Sequence, residues 1–348
     1  MNERMVFKLV SIFYTHVNCF IFKIKFESNN MIRLICSFFL CGIQLFAFAN
    51  KGSDTLFHET PIELKTPTGN IEGTLTIPDL RYPMPVALII AGSGPTDRNG
   101  NSAMMKNESL KMLADSLSVH GIAAVRYDKR GIGASREAGK NETDLRFEDY
   151  VKDAKAWLQL LKKDTRFSKV IVIGHSEGSL IGMLAAKHNA DAFVSIAGTG
   201  KPAGTILKEQ LANQPETIRN LIYADIDTLE MGKTLQYANP LLYSLFRPSV
   251  QPYLISWFRY NPAIAIQQLN HIPVLIVQGT HDIQVSEADA QLLAKASEQA
   301  KLVMIPHMNH IFKMVTGDRN TNIAAYNSPQ LPVSGVLIDT LVAFIHTL

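Results

Sequence analysis

Cysteine is nearly missing from this 348-residue chain: there are three, Cys19, Cys36 and Cys41, all before residue 50. From residue 50 onward there is no thiol, which excludes disulfides, Cys-ligated zinc and a cysteine nucleophile together. An excess of charge is missing too. Five of the 34 basic and two of the 31 acidic residues lie in the first 49, leaving 29 of each beyond them. A nucleic-acid-binding surface needs a basic excess, so nothing here argues for nucleic acid as a partner. Apolar side chains are plentiful, at 47% of the total. That is ample for a large core and incompatible with intrinsic disorder.

Residues 1–49 read as a leader. Met31-Ile32-Arg33 precedes an apolar run over 34–48, which closes on Ala47-Phe48-Ala49 before Asn50-Lys51-Gly52. A short basic start, an apolar stretch and an Ala-x-Ala site are the parts of a secretory signal peptide. The run falls short of the about 20 apolar residues a membrane span needs. Translation from Met31 and cleavage after Ala49 would give a mature chain from residue 50, exported to the periplasm or secreted, with no membrane span. The alternative is an uncleaved anchor, since 5–22 is also fairly apolar.

Beyond Asn50 short β runs alternate with helical stretches. Segments 58–65 and 71–77 flank Thr68-Gly69-Asn70 and predict a hairpin. Strands are expected over 86–90, 122–127, 170–173, 192–197, 273–277 and 302–305. Helices are expected over 109–120, 147–161, 177–187, 287–300 and 334–348. Regular β/α alternation implies an α/β fold, a mostly parallel twisted sheet with helices on both faces.

One interval breaks the rhythm. Residues 199–270 are helical in character without a convincing strand, and 243–260 holds six aromatics (Tyr243, Phe246, Tyr253, Trp257, Phe258 and Tyr260). The expected organisation is a core of 50–198 and 271–348 with a helical cap inserted at 199–270. Pockets favour such junctions, and Trp257 and Phe258 are the candidates for contact with substrate.

The strand at 170–173 runs through Gly174-His175-Ser176-Glu177-Gly178 into a helix. A Gly-x-Ser-x-Gly match alone is weak, but between a strand and a helix it fits a sharp turn that presents a serine hydroxyl above a sheet. Such a serine needs a base, and the base an orienting acid, in the chain order Ser, Asp/Glu, His. Asp282 follows the strand at 273–277, and His310 follows the strand at 302–305. Two backbone N–H groups should hold the developing oxyanion: that of Glu177, and one from the loop after 86–90, with Ser93 preferred and Gly94 next. The pair His307 and His310 could suggest a metal. No third ligand clusters with them, so neither metal nor cofactor is expected. The Glu177 carboxylate is expected to meet a nearby base such as Arg98, and Asp128-Lys129-Arg130 to form a structural charge network rather than a substrate clamp.

These residues resemble a known family. The stretch from about His58 onward looks like the serine α/β-hydrolases, and within them the EstD-like carboxylesterases, related to the serine aminopeptidase-type hydrolases. The resemblance is carried by Gly92-Ser-Gly-Pro-Thr-Asp-Arg98, Arg126-Tyr-Asp-Lys-Arg-Gly-Ile-Gly-Ala-Ser135, Gly174-His-Ser-Glu-Gly178 and Asn309-His310. Tyr326 and Leu331-Pro332 fit the family's tail. The resemblance implies the α/β-hydrolase fold and Ser176, Asp282 and His310 as catalytic triad. Ser179 stands where many relatives have glycine.

The expectation is thus an exported carboxylesterase acting on a small-molecule ester with apolar groups. The same triad would also serve an aminopeptidase or amidase, a thioesterase or an acyltransferase. For an aminopeptidase, Glu209, Glu216, Asp225, Asp227 and Glu230 of the cap could hold a substrate ammonium. A reading of another class, a non-catalytic binding protein on this scaffold, is disfavoured by the intact set of three residues. Nothing in the sequence sets an oligomeric state.

Overall fold

Strands β1 (Phe57–Thr66) and β2 (Gly69–Pro78) form the expected hairpin, closed by the pair Thr66 and Gly69. The computed structural model describes residues 56–79, 83–139, 141–237 and 239–348; the leader, its cleavage site and the whole of 1–55 lie outside them. The chain continues through β3 (Met84–Ile90), α1 (Ser109–Val119), β4 (Ala123–Tyr127), α2 (Phe147–Lys162), β5 (Phe167–His175), α3 (Glu177–Ala186) and β6 (Ala192–Ile196). After an excursion of helices come β7 (Val274–Gly279), α9 (Glu287–Ala296), β8 (Lys301–Ile305), α10 (Arg319–Ala325) and α11 (Gly335–Ile345). The excursion holds α4 (Ala203–Gln210), α5 (Glu216–Glu230), α6 (Tyr243–Phe246), α7 (Gln251–Phe258) and α8 (Pro262–Gln267).

The eight strands form one sheet in the order β1-β2-β4-β3-β5-β6-β7-β8. β1, β2 and β4 pair antiparallel, and every pairing from β4 through β3 to β8 is parallel. The loops after β3, β4, β5, β7 and β8 therefore leave the same edge of the sheet. In open α/β sheets ligands bind at that edge, where the strand order reverses; here it reverses at β3.

Period-two alternation fills two cores. Val86, Leu88 and Ile90 of β3 and Val170 and Val172 of β5 point to one face, against α2, α3 and helices of 199–270. Ala87, Ile89, Ile171 and Ile173 point to the other, against α1 and α11. Both faces are covered, which is why these strands read as unbroken apolar runs. Helix α9 stops at Ala296, short of the expected Ala300, because Ser297 is already extended and the chain turns toward β8. No helix among the described residues is long and apolar enough to cross a membrane.

Candidate active site

Ser176 sits between the last residue of β5 and the first of α3 with φ 54° and ψ −121°, a conformation few non-glycine residues adopt. Its N–H donates to the Ile196 carbonyl at 3.0 Å, and its carbonyl accepts from Ser179 N–H at 2.9 Å. The flanking glycines are there for space. A Cβ on Gly174 would lie 2.5 Å from Ser179 Cα, and one on Gly178 would lie 2.7 Å from the Ala91 oxygen and closer still to that of Ile90. Helix α3 thus starts in direct contact with the end of β3. Ser179 is accommodated without cost: its hydroxyl meets that of Ser195 at 2.7 Å, over the space that Gly198 leaves open.

His310 and Asp282 come together from the loops after β8 and β7. His310 Nδ1 is 2.8 Å from Asp282 Oδ2, and both side chains are buried. The carboxylate can only accept, so Nδ1 carries the hydrogen and Nε2 is left as the basic nitrogen. Asp282 also accepts from the N–H groups of Gln284 and Val285, at 2.8 and 2.9 Å, and from Gln278 Nε2 at 3.1 Å. Burial alone would raise its pKa, but the imidazole and these donors outweigh that and hold it below the usual carboxylate value. The turn is built by Asn309, whose Oδ1 accepts from Ile311 and Lys313 N–H while Nδ2 donates to Asn322. His307 is exposed, and its backbone N–H donates to Thr280 Oγ1.

His175, given no chemical role from the sequence, links the two halves of the site. Its Nε2 donates to the His310 carbonyl at 2.9 Å, and the two rings lie 4.7 Å apart. Burial, then the adjacent His310, push its pKa down to about 3, so it folds as the neutral ring. A depressed histidine stabilises the fold fully above its unfolded value of 6.5, and that contribution is lost as pH falls from there toward 3. The loss runs at up to about 1.4 kcal/mol per pH unit. In His175→Gln, whose amide can still donate to His310, the unfolding free energy should fall less steeply between pH 6.5 and 4.5, by about one proton's worth. Equal slopes in denaturant titrations of the two proteins would contradict this.

The loop after β3 approaches the elbow at Gly92, where a Cβ would stand 3.1 Å from Ser176 Cβ. Ser93, Gly94 and Pro95 follow and line a cavity of about 340 Å³ together with Ser176 and Glu177. The partner expected for the Glu177 carboxylate is corrected. Arg98 instead pairs with Asp128 at 2.8 Å, while Glu177 takes Lys129 at 2.8 Å and the Tyr253 hydroxyl. Arg130 goes to Asp153. The run Asp128-Lys129-Arg130 is thus split among three partners in three directions, and only Lys129 reaches the elbow.

Trp257 is on the wall of the Ser176 cavity, with Leu180, Ile206, Leu211, Leu254 and Val285 among its apolar neighbours. Phe258, expected beside it, is not on that wall but buried in the core. Tyr253, Leu254 and Trp257 form the face of α7 that lines the cavity, and Phe258, about 100° on from Trp257, falls outside that face. A wider cavity of about 600 Å³ adjoins, sharing Gly94, Pro95, Arg247, Val250 and Tyr253, and is also lined by Thr68, Asn141, Glu142 and Asp144. None of the five cap acids lines either cavity. Glu209 pairs with Lys201, and Asp227 and Glu230 with Lys208. Among the described residues no three His, Cys, Asp or Glu side chains are grouped to hold a metal.

A sheet of this order is that of the α/β-hydrolase fold, and in it Ser176 stands at a strained strand–helix turn with a buried His–Asp pair on later loops, the places from which this fold can present a nucleophile, base and acid. Comparison with known proteins agrees. A family model described as serine aminopeptidase, S33, matches residues 106–222, a stretch that includes the elbow. Esterase EstD of Thermotoga maritima is 26% identical over 271 residues, which are 74% of this chain and 61% of EstD. The chain thus spans about three fifths of the length of that curated relative. Among solved structures, Est1E from Butyrivibrio proteoclasticus superposes with a TM-score of 0.54 at 17% identity, over 82% of this chain and 99% of Est1E. Dipeptidyl peptidase 4 of Porphyromonas gingivalis gives 0.53 at 14%, over 84% of this chain and 36% of its own. At such identities the likeness to both structures is one of fold.

Proposed function

We propose that the protein is an exported carboxylesterase working through an acyl-enzyme. The observation that carries the reading is Ser176 at its strained turn, on the wall of a largely apolar cavity, with the His310–Asp282 pair beside the elbow. Ser176 Oγ attacks the ester carbonyl while His310 Nε2 takes its proton. The N–H groups of Ser93 and Glu177 receive the oxyanion. Collapse breaks the bond to the alcohol, which leaves with the proton from His310, and water activated by the same nitrogen releases the acid. Asp282 holds the ring and stays ionised throughout. The apolar side chains beside Ser176 suit the acyl chain, and the wider cavity, which more charged side chains line, suits the alcohol. Export rests on the leader, with its Ala47-Phe48-Ala49 site.

Ester rather than aminoacyl cleavage is favoured by the walls. Glu177 is the one acid lining the Ser176 cavity among the described residues, and Lys129 and Tyr253 already occupy it. A substrate ammonium finds no free carboxylate there. The name of EstD points the same way, although the matching family model is described by an aminopeptidase. Purified protein is expected to hydrolyse nitrophenyl esters with a preference for apolar acyl groups, and to leave aminoacyl anilides nearly untouched. Trp257→Ala should shift the chain-length profile, since one methylene in an apolar pocket is worth about 1–3 kcal/mol. Faster cleavage of the anilides would move the assignment to a peptidase.

A further inference from the structure

Lys129 is 1% exposed. Its ammonium donates to the Gly92 carbonyl at 2.6 Å and to Glu177 Oε2 at 2.8 Å, and lies over the Tyr150 ring, 4.9 Å from its centre. The two hydrogen bonds join the loop after β3 to the first residue of α3, the two segments that carry the proposed oxyanion donors. The Gly92 C=O and the Ser93 N–H belong to one peptide unit, and with no cis bonds among the described residues that unit is trans. In a planar trans peptide the C=O and N–H point in opposite directions. A bond that fixes the Gly92 carbonyl therefore aims the Ser93 N–H. Little else holds that plane. Gly92 has no side chain to restrict it, and no partner for the Ser93 N–H is found among the described residues.

The other end of the ammonium is anchored with equal care. Glu177 offers its N–H to the oxyanion and its carboxylate to Lys129, so one residue is both donor and anchor. Tyr253, from α7, donates to the second carboxylate oxygen and lines both cavities. Burial, then the neighbouring carboxylate, push the Tyr253 pKa well up, so its hydroxyl keeps the proton it donates. Stability is a weak reason to keep such a charge pair, because apolar residues of similar volume commonly serve a core as well or better.

We propose that Lys129 is a positioning residue for ester hydrolysis. Its ammonium aims the Ser93 N–H into the oxyanion hole, and Glu177 and Tyr253 hold that ammonium, tying the hole to the helices over it. The proposal rests on the reading of Ser176 as nucleophile.

Lys129→Met alone would strand a buried carboxylate, so the double variant Lys129→Met/Glu177→Gln carries the test. It keeps the backbone N–H at 177 and removes both charges. Its kcat on nitrophenyl butyrate, per active site, should fall about tenfold to a hundredfold, toward the loss seen when one oxyanion donor is removed. KM should change much less than kcat and the midpoint of the pH–rate profile should stay put, because the apolar wall of the acyl cavity and the His310–Asp282 pair are untouched. Phosphonylation of Ser176 by a nitrophenyl alkylphosphonate, which also places an anionic oxygen in the hole, should slow in proportion. Lys129→Arg, which keeps the charge on a longer planar fork, is the second variant and should show the same kcat-selective loss. Tyr253→Phe should show a smaller one. A lysine that only stabilised the fold would lower the unfolding midpoint and leave both rates per site unchanged; either substitution giving that result overturns the proposal. Wild-type protein that is phosphonylated at Ser176 but turns over no ester would instead overturn the esterase reading, and the variants' phosphonylation rates would still decide for or against Lys129.

Discussion

His310→Ala is expected to lower kcat for ester hydrolysis by about 10⁴–10⁶-fold, whereas His307→Ala should keep most of the activity. The two histidines are three residues apart, yet the turn separates them completely. His307 is exposed, with φ 62°. His310 is buried, with Nδ1 on Asp282 and its carbonyl held by His175. Only His310 thus has an oriented ring, a fixed tautomer and an acid to stabilise its charged form. Ser176→Ala should fall to the same floor rather than add to the loss, because members of one catalytic unit are not additive; the remaining rate comes from binding and the oxyanion hole. Initial rates on a nitrophenyl ester, with folding of each variant checked by circular dichroism, decide the matter. A folded His310→Ala protein with near-normal turnover would sink the assignment and move it to His307.

The sequence made the frame of this site legible because each feature there is local. A strand buried on both faces leaves an unbroken apolar run, as at 86–90 and 170–173. The elbow's glycines stand beside the serine whose turn requires them. The partners of buried charges were less legible, since they depend on which loops the sheet order brings together. Arg98 and Lys129 are both cations on loops after adjacent strands, and nothing local says which one reaches Glu177. The pairing of β3 with both β4 and β5 decides it, placing the Gly92 carbonyl and Glu177 within reach of a single ammonium. His175 was obscured for a similar reason, because its partner is a backbone carbonyl 135 residues away. Phe258 shows the limit of composition: six aromatics in a short stretch mark an apolar layer, but helical phase sends Trp257 to the cavity and Phe258 to the core.

Gly178→Ala is expected to damage both stability and turnover, although it adds a single methyl group. The methyl would meet two carbonyl oxygens at once, those of Ile90 and Ala91, where β3 ends. The Ile90 oxygen cannot move aside as a side chain would, because β3 is paired with β4 as far as Ile89 and with β5 as far as Ile90, and Ala91 follows it directly. Relief has to come from moving α3 away from the sheet. Forcing extra methylenes into a well-packed site costs typically 1–3 kcal/mol, and the rigidity of both partners places this case at or above about 3. The displaced elements are the ones that matter for chemistry. Residue 91 leads directly into Gly92 and Ser93, and α3 carries Glu177 and begins at Ser176. A displacement of about 1 Å between nucleophile and oxyanion donors can cost about 100-fold in rate, so kcat per phosphonate-titrated site should fall by that order. Gly335→Ala is the control: no atom lies within 4 Å of its added methyl, and alanine is the better helix former at that first turn of α11. Its midpoint in denaturant should match or slightly exceed wild type. A Gly178→Ala protein that unfolds and turns over like wild type would mean that α3 can lift from β3 freely, and the close contact assigned to that glycine would be wrong.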